Sequence, residues 1–259
     1  MPKVSDHKHY QEDSIFQPEN LLREARRQRN VAPCEIPKIC LLDPDGDILD
    51  YLIRTNQAVV NPCWAGYHTK MYQFKLKGIE IGIIGCAVGA SFAVLLAEQM
   101  FASGCQLLLS VTSAGIVNPP QNRKSFIVID QALRDEGTSY HYLPANEITA
   151  LDAGLLTQLK ALTEDPSLNL GIGNSWTTDA PYRETQTAFD HAKSKGVTAV
   201  EMEAAALYAF AKAKNNKVIC FAHLTNTMAQ EGEDFEKGLE NGSLEALEII
   251  YQTARLIEG

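Results

Sequence analysis

Residues 199–214 read AVEMEAAALYAFAKAK. The first part, Ala199–Met202, is typical of a short strand, and it runs directly into a predicted helix. Two glutamates, Glu201 and Glu203, flank Met202 at this junction. Because adjacent strand residues point to opposite faces, the two glutamates share one side if the strand persists. A strand this apolar is expected to be buried, and a buried carboxylate needs partners.

Strands and helices alternate along the rest of the chain in the same way. Short apolar runs predict strands, and longer stretches with helical periodicity predict helices. The predicted strands are Lys38–Leu42, Ile79–Ile84, Gln106–Val111, Phe126–Ile129, Leu170–Ser175 and Val218–Leu224, and the further predicted helices are Ser91–Ala102, Ala150–Leu162 and Leu244–Leu256. This alternation predicts an α/β fold in which helices cover both faces of one sheet, a three-layer αβα arrangement.

A polar lead-in, residues 1–37, precedes the predicted catalytic domain, residues 38–259. It contains one predicted helix, opened by Pro18, and it ends at the linker Pro33–Pro37. A cluster of arginines on this helix is interpreted as a solvated face, because charge runs are usually exposed to water. The cluster consists of Arg23, Arg26, Arg27 and Arg29.

Composition and charge narrow the class of protein. Of the 259 residues, 45% are hydrophobic, which is enough to bury the core of one large domain. The formal net charge is -9, so the surface repels phosphate backbones and nucleic acid is not an expected partner. No apolar run reaches the length of a membrane span, so no membrane partner is expected either.

The cysteines carry no recognisable motif. The chain has six of them, with no CxxC pair and no metal-ligand spacing, so no metal site is expected. The first residues are polar and lack the apolar segment of a signal peptide. These features together predict a reducing compartment, the cytoplasm.

Polar residues at the ends of the predicted strands form the candidate site. In open α/β sheets, ligands bind at the carboxyl ends of the strands. Five segments at such ends carry functional groups: Gly85–Ser91, Ser110–Gly115, Arg134–Tyr142, Trp176–Thr185 and Val200–Leu207.

Each of the first three segments has two interpretations. Gly85–Ser91 opens a helix, where backbone N–H groups bind anions, but it also fits a plain tight turn. The hydroxyls of Ser110–Gly115 either bind a sugar or an anion, or only end a strand. Arg134–Tyr142 is either a binding loop or a charged surface loop.

The last two segments fit a flat base and a sugar. Trp176 and Tyr182 can stack on a base, and Arg183 can donate hydrogen bonds to a base carbonyl. Asp179, in the same segment, is a catalytic candidate. In Val200–Leu207, a carboxylate can accept two hydrogen bonds from the 2′- and 3′-hydroxyls of ribose. The alternative is that these glutamates cap the helix, since acidic side chains are favourable near a helix N-terminus.

Val200–Leu207 resembles the ribose-binding motif of the nucleoside phosphorylases. The order of the segments resembles that family from about residue 38 to the end of the chain, and the loop Asp135–His141 is similar to the uridine phosphorylase branch. The resemblance implies a single α/β domain on a mixed, partly barrel-like sheet, assembled as a homodimer or homohexamer. It also implies cleavage of the N-glycosidic bond of a small-molecule nucleoside, with phosphate as co-substrate and no cofactor.

The resemblance also implies roles for individual residues. Glu203 would hold the ribose hydroxyls as a catalytic residue, Met202 would pack on the sugar, and Ser113 would touch sugar and phosphate. A histidine near the N-terminus, His7 or His9, would bind the ribose 5′-hydroxyl of a neighbouring subunit. The residues implied for ribose are Glu201, Met202, Glu203, Ser113 and His9, and those for the base are Arg183, Trp176 and Asn226, of which Asn226 is also a catalytic candidate.

The phosphate contacts depart from the family pattern. The family's phosphorylases carry Gly-Asp-Pro-x-Arg after the first strand, but this chain has Gly46 at the place of the arginine. Two further arginine positions align with Ser110 and, from the partner subunit, near Tyr67. Since phosphate recognition relies on guanidinium contacts, weak phosphate binding is expected. The region that would take phosphate or water comprises Asp43, Asp45, Gly89, Ser110 and Ser113.

Three functions remain open from the sequence. The sequence favours phosphorolysis to free base and ribose 1-phosphate, because the family resemblance is behind it. Hydrolysis has the missing arginines behind it, with Asp43, Asp45 or Asp47 as general base toward water. The third is a nucleoside-binding protein that keeps the ribose site without catalysis.

Overall fold

The computed structural model describes residues 8–120, 124–227 and 235–258. Within them the helices are α1 (Pro18–Arg29), α2 (Asp47–Arg54), α3 (Ala90–Ala102), α4 (Ala153–Thr163), α5 (Gln186–Ser194), α6 (Ala204–Lys214) and α7 (Ser243–Glu258). The strands are β1 (Ile39–Asp43), β2 (Ala58–Val60), β3 (Tyr72–Leu76), β4 (Ile79–Gly85), β5 (Leu107–Ile116), β6 (Phe126–Asp135), β7 (Ile148–Ala150), β8 (Leu170–Thr178), β9 (Ala199–Glu201) and β10 (Lys217–Asn226).

One mixed sheet contains all of these strands. Its order is β10-β6-β8-β9-β5-β1-β4-β3-β2, with β7 beside β6. Strand β10 also pairs with β5, so β5, β10, β6, β8 and β9 close into a barrel, and the remaining strands extend from β5 as an open sheet. Strands β1, β4, β5 and β10 run parallel, whereas β9 and β6 run antiparallel to their neighbours β5 and β10. The predicted α/β fold with a partly barrel-like sheet is confirmed.

Two groups of helices cover the sheet. In one group α3 packs on α6 and α1 packs on α3, and in the other α7 packs on α4 and α2. Helix α6 is buried along its first two turns, Ala204–Phe210, because small alanines let it lie close against the strands. The Tyr208 hydroxyl, fully buried, donates to the carbonyl of Ile129.

Several strands are longer than the sequence predicts. Strands β5, β6 and β8 continue to Ile116, Asp135 and Thr178, through hydroxyl-bearing or charged residues that resemble turns. Their backbone groups are paired in the closed barrel, so the polar side chains do not end the strands. Helix α4 begins later than predicted, at Ala153, because the Asp152 carboxylate caps it.

The lead-in helix is docked on the domain. The predicted helix opened by Pro18 is confirmed, and Leu22 and Ala25 are buried beside Ala65. The arginine cluster is not entirely solvated, because Arg29 donates hydrogen bonds to three successive backbone carbonyls, of which the one at Gly66 is 2.8 Å away.

A disulfide joins Cys34 of the lead-in to Cys63, with 5.4 Å between their Cα atoms. The pair is at odds with the reducing compartment that the cysteine usage predicts. Because the two residues lie 29 positions apart in no motif, their pairing has no signal in the sequence. None of the helices in the described ranges is long and apolar enough to cross a membrane.

Candidate active site

The two glutamates at the end of β9 lie in different environments. Strand β9 ends at Glu201, and Glu203 is already the residue that precedes α6, with φ −130° and ψ −40°. The strand therefore does not persist to Glu203, and the alternation that would place both side chains on one side does not apply.

Glu201 is fully engaged inside the protein. One carboxylate oxygen accepts hydrogen bonds from the hydroxyls of Ser175 and Thr177, and the other accepts from the backbone N–H groups of Glu203 and Ala204, both at 2.7 Å. Burial raises its pKa, although these four donors favour the charged form. A carboxylate has about four acceptor positions, so none is left for ribose. The ribose-binding role implied for Glu201 is thus corrected: this glutamate caps α6.

Glu203 has one engaged and one open oxygen. Oε1 accepts a hydrogen bond from the backbone N–H of Gly89 at 2.7 Å. Oε2 is buried and has no hydrogen-bond partner among the residues that the structure describes. Burial, followed by the charge of Glu201, raises the pKa of Glu203 to about 8. A buried, unpaired acceptor is costly, so a hydroxyl ligand at Oε2 would be favourable.

The glycine turn before α3 is therefore not an open anion site at Gly89. Its N–H points to Glu203 instead of to an external ligand, which corrects the assignment of Gly89 to the phosphate region.

Three aspartates lie at or just after the end of β1, and each makes different contacts. Asp43 is buried and accepts hydrogen bonds from the backbone N–H groups of Gly46 and Leu49, so it stabilises the first turn of α2. Burial raises its pKa to about 7. Asp47 pairs with Lys237, whose Nζ is 2.5 Å from Oδ2, and its Oδ1 accepts from Asn241.

Asp45 binds the serine expected at the phosphate. Its Oδ2 lies 2.6 Å from the backbone nitrogen of Ser113, and its Oδ1 lies 2.8 Å from the Ser113 hydroxyl. Asp45 itself is exposed to solvent. A carboxylate of the protein thus occupies both donors that Ser113 would offer to an anion.

The three positions that align with the family's phosphate-binding arginines lie in different surroundings. Gly46 has φ 86°, which favours glycine, and a Cβ there would come within 2.7 Å of the Cys86 sulfur. Ser110 is buried in β5 between β1 and β10. Tyr67 lies under the guanidinium of Arg29, 5.0 Å from it.

Two residues at this site have no signal in the sequence analysis. His223 of β10 pairs in register with Ser113 and stacks on Phe126, with 4.2 Å between the ring centroids. Burial and then the charge of Lys237 lower its pKa to about 4, so its ring is neutral at physiological pH. His223 was missed because it is a single polar residue in an apolar strand, and Lys237 because it lies far along the chain.

A small cavity lies where these residues meet. Its volume is about 20 Å³, enough for about one water molecule. Its polar lining consists of Asp43, Asp45, Asp47, Thr112, Ser113, His223 and Asn241.

The segment expected to hold the base is only partly accessible. Trp176 is 2% exposed in a small second core with Val117 and Val200, and its ring N–H donates to Asp135. It has no free face for stacking, which corrects its assignment as a base-binding residue. Tyr182 and Arg183, in contrast, are exposed on a short 3₁₀ helix.

The loop after β6 is not a charged surface loop. Arg134 is buried, and its guanidinium donates to the Ser139 hydroxyl and to backbone carbonyls of the same loop. The Glu136 carboxylate accepts from the Ser139 N–H. Asp179 is exposed and accepts from the backbone N–H of Gly137 at 2.8 Å, so it ties the two loops together.

The remaining candidates lie as follows. Asn226 ends β10 beside Gly115, at the same edge of the sheet as Ser113, and Met202 is half-buried. His9 is exposed, with Nδ1 3.6 Å from Glu12, and its role in a neighbouring subunit stays a prediction. His7 lies outside the described residues.

Solved structures that share this fold include nucleosidases and nucleoside phosphorylases. A 5′-methylthioadenosine/S-adenosyl homocysteine nucleosidase of Campylobacter jejuni has a TM-score of 0.68 at 18% identity, covering 85% of this chain and 99% of that one. Uridine phosphorylase from Vibrio fischeri ES114 has a TM-score of 0.67 at 17% identity, covering 98% of this chain and 99% of that one. At these identities the likeness shows the fold alone.

The chain belongs to the phosphorylase superfamily, whose sequence model matches residues 38–255. It is 26% identical over 145 residues to a guanosine phosphorylase of Halorubrum lacusprofundi, covering 56% of this chain and 60% of that protein. It is 26% identical over 177 residues to a uridine phosphorylase of Thermococcus kodakarensis, covering 61% and 64%. The matches thus span less than two thirds of these relatives.

Proposed function

We propose that the chain cleaves the N-glycosidic bond of a ribonucleoside, and that water rather than phosphate accepts the ribose. The observation that carries this proposal is the pair of hydrogen bonds from Ser113 to the Asp45 carboxylate. The membership in the phosphorylase superfamily supports the nucleoside as substrate.

Electrostatics at Asp45 oppose phosphate. A phosphate dianion on Ser113 would have to displace Asp45 and remain close to Asp43 and Asp47, and like charges repel. The backbone N–H of Gly89 is also taken, by Glu203. Water carries no charge, so it meets none of this repulsion.

The reaction needs a base for water and a holder for ribose. Water attacks C1′ and gives a proton to the Asp45 carboxylate, while the electron pair of the C1′–N bond goes to the base, which takes up a proton from solvent. Asp45 fits this task better than Asp43, which is buried, because Asp45 is exposed and water can reach it. Asp47 is held more tightly than Asp45 by Lys237 and also accepts from Asn241. Oε2 of Glu203, which has no hydrogen-bond partner within the described residues, hydrogen-bonds a ribose hydroxyl.

Phosphorolysis is the second candidate. Two observations favour it: the curated relatives named above are phosphorylases, and Lys237 places one cation beside the aspartates. In that case phosphate, not water, attacks C1′ and the products are free base and ribose 1-phosphate.

The test measures base release from inosine, adenosine and uridine, with and without phosphate, by chromatography of the products. We expect release at the same rate in phosphate-free buffer, and free ribose as the second product. Asp45→Asn should lower kcat roughly a hundredfold or more, in the range of a lost general base. Asp50→Asn, an exposed position on α2, is the matched control and should leave kcat unchanged.

Two other outcomes would reject hydrolysis. Release that requires phosphate, with ribose 1-phosphate as product, would establish phosphorolysis and reject water as acceptor. Tight nucleoside binding without release of any base would indicate a binding protein.

A further inference from the structure

Lys237 brings a positive charge to an otherwise acidic group of side chains. Its Nζ lies 2.5 Å from Asp47 Oδ2 and 3.6 Å from Asp45 Oδ1, and its side chain is 24% exposed. Asp43 and Glu203 lie near Asp45, and its negative charge contributes to raising the pKa of both. Within the described part of the chain, these are the ion pairs that Asp45 and Asp47 make.

The backbone around Lys237 is fixed by contacts to the strand ends. The N–H of Glu236 donates to the carbonyl of Thr225, at the end of β10. Asn241 donates to the Asp47 side chain, and the Ser243 hydroxyl donates to the Asp47 backbone carbonyl. Asp47 thus anchors the segment that carries the lysine.

The geometry of the charges connects Lys237 with Asp45. Both oxygens of Asp45 point to Ser113, and Lys237 approaches the oxygen that accepts from the Ser113 hydroxyl. Burial alone would lower the pKa of Lys237, but the hydrogen bond to Asp47 and the charge of Asp45 raise it, so the ammonium stays charged. An opposite charge within about 4 Å favours the ionised form of a carboxyl group.

We propose that Lys237 is a positioning residue for glycosidic cleavage, which holds the Asp45 carboxylate directed to Ser113 and balances the charge of Asp45 and Asp47. This inference rests on the proposed role of Asp45 as the base. Lys237 acts through Asp45, and its Nζ is held by Asp47 rather than by the substrate.

The test is the pH profile of kcat in the full-length protein. Lys237→Met removes the ammonium, and we expect kcat near neutral pH to fall roughly ten- to a hundredfold, in line with the loss of one charge-assisted contact. The acidic limb of the profile should move to higher pH by about one unit or more, because the variant removes the positive charge that faces Asp45, Asp47 and His223. KM for the nucleoside should change little.

Two variants serve as controls. Lys237→Arg keeps the charge and should retain most of the activity and the position of the acidic limb. Lys77→Met removes a surface lysine with a similar ion pair, 2.6 Å from Glu248, and should leave the profile unchanged.

The proposal is overturned if the acidic limb of Lys237→Met stays at its wild-type pH. It is also overturned if Lys237→Met raises KM for the nucleoside and leaves kcat unchanged, because the lysine would then bind the substrate. If Lys237→Met does not fold, Lys237→Gln keeps a hydrogen-bond donor for Asp47 without the charge, and kcat and the acidic limb should change in the same direction; a wild-type profile overturns the proposal.

The two proposals fail on different measurements. Phosphate dependence of the wild-type protein decides the acceptor. If phosphate is required, the Lys237→Met series is repeated with phosphate varied up to saturation. A higher KM for phosphate with an unmoved acidic limb would then make Lys237 an anion contact instead.

Discussion

Replacing Glu203 by glutamine should make the stability of the protein less dependent on pH. The folded state raises the pKa of Glu203 from 4.5 to about 8, first by burial and then by the charge of Glu201. Between these values the folded chain keeps a proton that the unfolded chain releases. The stability associated with the protonated carboxyl is therefore complete below about pH 4.5, and it is lost as the pH rises through about 8.

The size of the effect follows from the shift. The difference between 8 and 4.5 is about 3.5 pKa units, and at ~1.4 kcal/mol per unit this is about 5 kcal/mol at the alkaline end. That is comparable with the whole stability of many domains. A glutamine at this position still accepts from Gly89 through its amide oxygen, and it does not titrate. Asp43, whose pKa is raised to about 7, also makes the free energy of unfolding fall as the pH rises. This contribution is the same in the wild type and in Glu203→Gln.

The assay is urea unfolding at pH 5.5 and pH 8.5. We expect the free energy of unfolding to fall more steeply with pH in the wild type than in Glu203→Gln, by a few kcal/mol across this interval. Glu80→Gln, an exposed position on β4, is the control and should follow the wild type. Parallel curves for wild type and Glu203→Gln would refute the reasoning, because they would mean that Glu203 is charged in the folded state at neutral pH.

Two further predictions concern the base. Arg183→Ala should reduce discrimination between inosine, adenosine and uridine with little change in the thermal midpoint, since Arg183 is exposed; a collapsed midpoint with retained base preference would show that it is structural. Trp176→Ala should do the opposite and lower the stability by about 3–5 kcal/mol, because it empties a buried indole site, while the base preference in kcat/KM stays the same. Altered base preference in a stable Trp176→Ala protein would contradict the buried placement.

The sequence predicts the central strands well, because their signals are local. The predicted Ile79–Ile84 and Val218–Leu224 lie within the observed β4 and β10 and differ from them by at most two residues at either end. Such strands are continuous apolar runs bounded by polar residues or glycine. The polar ends of β5 and β8 carry no comparable signal, since whether Ser113 or Thr177 ends a strand depends on the partners that the closed barrel supplies.

The sequence predicts where the candidate site lies, but it predicts the roles of the individual residues less well. Val200–Leu207 correctly marks a strand-to-helix junction with two carboxylates. Which of the two stays open depends on where β9 ends, and that is set by pairing with β5 and β8. The prediction that Trp176 binds the base is wrong for a related reason. An aromatic residue near a strand end gives the same sequence pattern whether it faces a ligand or a second core.

The choice of acceptor depends on residues that no local pattern connects. Strands β1 and β10 both run parallel to β5 and are two of its neighbours, so the carboxyl ends of all three strands lie at one edge of the sheet. This topology brings Lys237 to Asp47 across 190 positions of sequence, and Asp45 to Ser113 across 68. The sequence predicts weak phosphate binding only because arginines are missing at the three aligned positions. The structure supplies the positive reason, which is that a carboxylate already occupies the donors of Ser113 and is itself balanced by a lysine. The net charge at the point of attack is therefore set jointly by Asp45 after β1, Ser113 in β5 and Lys237 beyond β10, and altering any one of them should change how the other two behave.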